Sequence, residues 1–580
     1  MRSPLIRGAL MCAVFFLGLA ACGQQENNIA GADLVLRGGT IHTVAADQPT
    51  AEAIAVTGNE IVFVGDNAAA AAYIGPQTEV IELEGRLVLP GLVDAHLHPI
   101  GGSLKNLYQC NFPFSADPDE IQATVAKCVA EQPEAEWITG GQWDSGFFER
   151  FEIASPRSWI DEVSGDVAVY LVDDSGHNGW VNSKALELAG VDAKTPDPEG
   201  GTVARLADGS PSGLLIETAQ GLVRDFITPY TDEQHLAAAQ YFSDYANAYG
   251  ITAAKAAAIR EPHIAGFHAA DQRGELNVHM ATSIRTPYGR RTDPLDYDDI
   301  DRIRDRYASE HIDTSFVKIF LDGVPTPART AAMLSPYVAD EAHGDNFDGG
   351  PVHVGLETLT ADLIELDQRG YTVKIHTAGD RSVRIALDAI EATREALGNK
   401  DKRHELAHAG YIDTLDLPRF AALNAVADLC PVIWHPSPII DAVISAVGQE
   451  RGERYWPIRD LIDSGAPLLA GSDWPSAVPD ANPWSGIEAF VTRRHPRGTT
   501  EGELWPEQAI TLYEAVEIYT LHGARAMKME DRIGSLEVGK LADFIVLERN
   551  IFEIPIDDVA DTQVWRTFFE GRLVYEGEAE

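Results

Sequence analysis

The stretch Tyr371-Thr372-Val373-Lys374-Ile375-His376 decides the fold because of what flanks it. Before it, Thr360 can cap a helix over 361–369 that Gly370 closes. After it, 382–397 carries Val383, Ala386, Leu387 and Ile390 on one helical face and stops at Gly398. Glu405-Leu406-Ala407-His408 then reads as the next strand. Helix and strand alternate, which argues for a parallel sheet, open or closed into a barrel. Working outward, 251–258, 277–284, 316–320, 426–434 and 467–470 are further strand candidates.

The two ends of the chain differ from this middle. Apolar runs at 33–37, 53–56, 60–64 and 79–83 are separated by turn residues, as in an antiparallel sheet. The pattern returns at 542–547, 563–569 and 571–575, so one small β domain completed by both termini is expected. The division is then 32–88 with 535–580 for a composite β-sandwich and 89–534 for the barrel.

Arg2 and Arg7 followed by an apolar run from Ala9 to Ala20 read as a signal peptide over 1–22. Leu19-Ala20-Ala21-Cys22-Gly23 resembles a bacterial lipobox, with Cys22 the lipidated residue. The expected location is therefore the cell envelope, anchored to the membrane through Cys22 on the periplasmic face of the outer membrane. No other run approaches the ~18 apolar residues of a membrane span.

The chain has 580 residues, 45 basic against 89 acidic, for a net charge of −44. Removing the leader takes away two arginines and leaves 43 against 89, or −46. Such a charge repels phosphates and excludes nucleic acid as a partner. A hydrophobic content of 45% excludes global disorder. Cys110 and Cys128 can pair in an oxidising envelope, although sequence leaves their separation open. Cys430 lies in an apolar stretch and reads as a buried structural thiol.

Polar residues collect where the middle strands end. His96-Leu97-His98 places two imidazoles on one face of a strand, able to share a metal ion. His376, His408 and the Asp473 of Gly471-Ser472-Asp473 end later strands. Singly, each reads better as a hydrogen-bonded core histidine or a helix cap than as a ligand. Their spacing says more: His376 to His408 is 32 residues, His408 to Trp434 is 26, and Trp434 to Asp473 is 39. A (β/α)8 barrel averages ~31 residues per unit, so the candidates recur about once per unit at the same strand end.

With these motifs on the page, the chain resembles the amidohydrolase superfamily, in particular its YtcJ-like amidohydrolase family 3 branch. The likeness rests on Pro90-Gly91-Leu92-Val93-Asp94-Ala95-His96-Leu97-His98, on 316–323 (FVKIFLDG), and on His376-Thr377-Ala378-Gly379-Asp380-Arg381. It continues through 404–408 (HELAH), Gly471-Ser472-Asp473-Trp474-Pro475 and the tail 534–543. It implies a (β/α)8 TIM-like metal-dependent hydrolase barrel holding two divalent ions, most often zinc, with manganese or iron as alternatives. His96 and His98 would bind one ion, Asp473 would join them, and His376 and His408 would hold the second. Lys318 would carry a CO2-derived carbamate bridging both. Lys255 and Lys374 are rivals by position, and Lys318 is preferred because its flanking residues match the family.

The implied activity is hydrolysis of an amide or N-acyl C–N bond of a small molecule by a metal-bridging hydroxide, with Asp473 as base and then acid. A deaminase or cyclic amidase is the alternative within enzymes. A non-catalytic metal- or ligand-binding envelope lipoprotein is the alternative outside them. Assembly as a homodimer is left open.

One interval breaks the barrel arithmetic. From His98 to Lys318 is 220 residues, where three units take ~95. An insertion is therefore expected at about 101–230. Its Trp143, His177 and Glu217, together with Arg381 and Trp434 beyond strand ends, are the candidate substrate contacts.

Overall fold

A computed structural model describes residues 31–113, 116–143, 147–173, 178–198, 201–326, 329–339, 344–399, 401–476 and 478–578. The leader with Cys22, and His177, lie outside the described residues. No described helix is long and apolar enough to cross a membrane.

Eight parallel strands form the central sheet: β1 (Leu92–Leu97), β2 (Ile251–Ile259), β3 (His279–Arg285), β4 (Ile312–Phe320), β5 (Thr372–Thr377), β6 (Glu405–His408), β7 (Val426–Leu429) and β8 (Leu468–Ala470). They pair in chain order from β1 to β8. The seam between β8 and β1 closes just past their ends, where Asp473 N–H donates to His96 O (2.7 Å) and His98 N–H to Trp474 O (2.7 Å). Gly471 makes this possible, since a Cβ there would meet His96 N at 2.3 Å. The result is a nearly closed (β/α)8 barrel.

The helices around it follow their local chemistry. Asp380–Leu397 ends at Gly398, whose φ of 68° suits a residue without a Cβ. The preceding helix differs from expectation: it spans Leu356–Gln368 and starts at Gly355. Thr360 lies inside it, donating its hydroxyl to Leu356 O at 2.8 Å, so it caps nothing. The strand expected over 426–434 stops at Leu429, because Pro431 opens a 3-10 turn through Ile433.

The terminal segments build one eight-stranded sheet. Strand Leu34–His42 pairs with Thr50–Thr57, Glu79–Glu82 and Leu87–Pro90, and the last of these pairs with Phe544–Leu547 from the other end of the chain. Glu60 bridges back to Leu541, and Leu36, Val56, Phe544 and Phe568 fall in one shared core. Between β1 and β2 lies a six-stranded sheet running from Cys110 to Glu217. There Cys110 and Cys128 are joined as a disulfide, Cα atoms 5.8 Å apart.

Candidate metal centre

Strand ends on the C-terminal side of the barrel carry the cluster. His96 Nε2 and His98 Nε2 lie 3.4 and 3.3 Å from the same oxygen, Asp473 Oδ1. That oxygen is buried and accepts no hydrogen bond. Two donors held tetrahedrally by one ion at about 2.0–2.1 Å stand roughly 3.3–3.4 Å apart. The spacing therefore fits three atoms arranged around a cation. The donor types, imidazole and carboxylate, suit zinc, manganese or iron.

Around them the imidazoles are oriented from behind. His96 Nδ1–H donates to Asp428 Oδ2 at 2.7 Å, which leaves Nε2 with a lone pair facing Asp473. His376 Nε2–H donates to Gly323 O at 2.9 Å, which leaves Nδ1 as its basic nitrogen. The His408 ring sits 4.6 Å from His376 and 4.9 Å from His96, centroid to centroid. Burial, reinforced by neighbouring imidazoles and lysines, lowers the titration of His96 and His408 well below the ordinary value and that of His376 to about 3. All three are neutral at neutral pH, as ligation requires. Burial works against charge on Asp473, but His96 and His98 outweigh it and hold the carboxyl below its usual range.

Two of these residues sit on strained backbone. His408 has φ 70° and Asp473 φ 57°, both in the left-handed region that non-glycine residues avoid. Such strain persists where the surroundings over-determine it, often at working sites.

Lys318 is buried beside this group. Its amine makes no hydrogen bond or ion pair with the described residues, and it lies 5.5 Å from the Phe320 ring centroid. Burial, aided by the charge of Lys374, brings its ammonium down to about 8. Its two rivals are engaged a layer deeper. Lys374 Nζ is paired with Asp428 and with Glu405 Oε2 (3.0 Å), and Lys255 Nζ with Glu405.

Cys430 is buried, as a structural thiol would be, but it belongs to the donor group: one ligand atom each from His96, His408, Cys430 and Asp473 lie within 4.8 Å of one another. Its Sγ is 3.7 Å from His408 Nδ1, and burial raises its thiol well above the ordinary range. Asp428 and Cys430 alternate with Ala427 and Leu429, so period two could have marked both from sequence.

The expected substrate contacts divide. Trp143 is packed inside the inserted sheet against Phe148 and Trp180, ring centroids 5.0 and 6.2 Å away. Trp434 is stacked on Trp456 at 5.2 Å with Phe490 edge-on. Both are core residues, because large rings with aromatic partners bury more area there than at a pocket wall. Arg381 is bound to the Asp348 and Gly350 carbonyls and so braces a loop. Glu217 is exposed where the strand Pro211–Glu217 ends, while on the strand-end side the Tyr288 ring meets Phe320 at 5.3 Å and His353 at 4.8 Å. Phe320 in turn lies 6.0 Å from His376. Glu217 also has a φ of 52°. Tyr288, exposed beside this wall, was missed, since a lone tyrosine in a polar loop carries no periodic signal.

Comparison with known proteins agrees with this architecture. The amidohydrolase family profile matches residues 79–575. The chain is 31% identical to Protein LONG AFTER FAR-RED 3 of Arabidopsis thaliana, covering 99% of both chains. It is 28% identical to the N-substituted formamide deformylase of Arthrobacter pascens, over 94% of this chain and 98% of that one. A metal-dependent hydrolase of Pyrococcus horikoshii shares the fold with a TM-score of 0.72 at 21% identity, covering 90% of this chain and 99% of the other. With eight parallel strands, a histidine–aspartate cluster at their ends and a match across most of its length, the chain belongs to the amidohydrolase family.

Proposed function

We propose that the protein is a two-metal amidohydrolase that cleaves an amide or N-acyl C–N bond of a small molecule. The observation that supports this most is the convergence of His96 Nε2 and His98 Nε2 on the unbonded Asp473 Oδ1. His96, His98 and Asp473 would hold one ion, His376 and His408 the other, and Lys318, carbamylated by CO2, would join them. Lys318 suits that role because an amine titrating near 8 has a neutral fraction able to add CO2. Two divalent ions, zinc foremost, would supply a water of lowered pKa and a polarised carbonyl.

The chain's own groups do the rest. Asp473, ionised and lacking a hydrogen bond on Oδ1, takes the proton from the attacking water and returns it to the leaving amine. Asp428 fixes the His96 tautomer throughout. Tyr288, exposed beside Phe320, would line the approach to the strand ends. The relative named as an N-substituted formamide deformylase makes N-formyl amines the first class to try.

The test is turnover of a panel of N-formyl, N-acetyl and N-acyl amino acid amides by the full chain loaded with Zn2+ or Mn2+, with metal content measured alongside. Amide hydrolysis that Asp473→Asn lowers by about 10²–10⁴-fold is the expected result. Bound metal with no turnover would point to a binding protein. Ammonia release without acyl cleavage would point to a deaminase.

A further inference from the structure

At the other end of the barrel strands, a second set of metal-type donors meets the last hairpin of the chain. His279 opens β3, His311 immediately precedes β4, and Glu570 sits in the two-residue turn between Val564–Phe569 and Arg572–Glu576. Arg285, at the far end of β3, is paired with Lys318. Six residues of strand, about 20 Å, thus separate this cluster from the strand-end site.

One ligand atom from each of His279, His311 and Glu570 lies within 4.8 Å of the others. His279 Nδ1, His311 Nε2 and Glu570 Oε1 are all buried without a hydrogen bond, and His311 Nε2 is 3.5 Å from Glu570 Oε2. Buried polar atoms without a hydrogen bond are costly, since each forfeits its hydration.

The opposite nitrogen of each imidazole is held by its own carboxylate. His279 Nε2–H donates to Asp543 Oδ2 at 2.9 Å and His311 Nδ1–H to Asp271 Oδ1 at 2.6 Å. These acids are themselves fixed: Asp543 accepts from Glu570 N (2.7 Å) and Asp271 from the Ser309 hydroxyl. A carboxylate on one nitrogen of each histidine sets the tautomer and leaves His279 Nδ1 and His311 Nε2 with a lone pair, the usual backing of a metal-binding imidazole. Phe569 packs on both rings, 4.6 Å from His279 and 5.4 Å from His311, and walls the centre with apolar surface.

We propose that His279, His311 and Glu570 form a second, separate metal site that takes one divalent transition ion, zinc by preference. Two imidazoles and one carboxylate leave a fourth position for water. The ion ties the C-terminal hairpin to the starts of β3 and β4, and so locks the β domain onto the barrel floor. Without it, a proton on His311 shared between Asp271 and Glu570 fills the same electrostatic role.

The site is tested by counting zinc in the full chain after dialysis against Zn2+, comparing the unsubstituted protein with Glu570→Gln. The expected result is one Zn2+ fewer per chain in the variant, with amide turnover unchanged. Equal counts overturn the proposal and leave a proton-bridged ion pair. Because the reading is a difference in count, it stands or falls independently of what the strand-end site catalyses. If Glu570→Gln does not fold, crystals of the unsubstituted chain grown with Zn2+ decide. Anomalous density at the zinc edge between His279, His311 and Glu570 supports the site, and its absence overturns it.

Discussion

Lys255 and Lys374 on one hand and Lys318 on the other are the same residue type inside the same barrel, yet their surroundings differ. Lys374 is paired with Glu405 and Asp428 and donates to Ala95 O at 3.2 Å. Lys255 is paired with Glu405 and donates to Ala526 O at 3.1 Å. The chain Lys255–Glu405–Lys374–Asp428–His96 is a compensated ladder beneath the strand ends. Lys318 stands above it with no carboxylate in hydrogen-bond or ion-pair contact among the described residues, although the charges of Asp428 and Asp473 reach it. Titration sets only Lys374 apart: burial lowers it, but Asp428 and Glu405 outweigh that and raise it above its ordinary value, whereas burial brings both Lys255 and Lys318 to about 8. Partners separate these two. A matched buried charge holds the barrel together, and an unmatched one is available for chemistry.

The largest effect that could break this contrast concerns the bridge. Lys318→Ala should lower amide turnover by about 10²-fold or more, as loss of a preorganised group at the reacting centre does. Short carboxylic acids such as formate or acetate should restore part of it by occupying the vacated position. Recovery measured for Lys255→Ala instead, with none for Lys318→Ala, would transfer the bridge to the ladder and end the contrast.

Next comes stability. Lys374→Met strands Asp428 in the interior and leaves Glu405 to Lys255 alone, and breaking a buried pair from one side costs about 3–5 kcal/mol. Lys318→Met removes a cation that neutralises no direct partner, so its denaturation midpoint should move far less. Equal losses in urea unfolding would mean that Lys318 is as structural as its neighbours.

The sequence reveals one half of this contrast better than the other. The ligand candidates are legible because each ends a strand, and the barrel repeats about every 31 residues. His376 and His408 therefore announce themselves. The ladder is not legible, because Glu405, Asp428 and Lys374 look like isolated charges in separate strands until parallel pairing sets Lys374 beside Glu405. The same limit hid the barrel-floor cluster. His279, His311 and Glu570 come from points up to 291 residues apart in the chain. Trp143 and Trp434 erred in the opposite direction, since an aromatic beside a strand end reads the same whether it lines a pocket or fills a core.

Glu488 sharpens the rule by testing it away from any site. This buried carboxyl accepts from Ala560 N at 2.8 Å and has no ion-pair contact among the described residues, Arg494 acting on it only weakly. Burial pushes its titration up to about 7, with Asp557 and Asp561 adding to the rise. An unmatched buried acid thus avoids its charge by keeping its proton, whereas Asp473 keeps its charge because His96 and His98 face it. The sign follows from the raised value. The stability Glu488 contributes is full below its unfolded titration near 4.5. It is lost as pH rises through about 7 and is constant above. Glu488→Gln keeps the neutral form at every pH, so its stability relative to the unsubstituted chain should climb between those two values and then level off. The gain should be on the order of 1 kcal/mol. A difference in thermal midpoint that stays flat across that window would mean the carboxylate is tolerated in the interior without a partner. Being unmatched would then no longer distinguish Lys318 from the ladder.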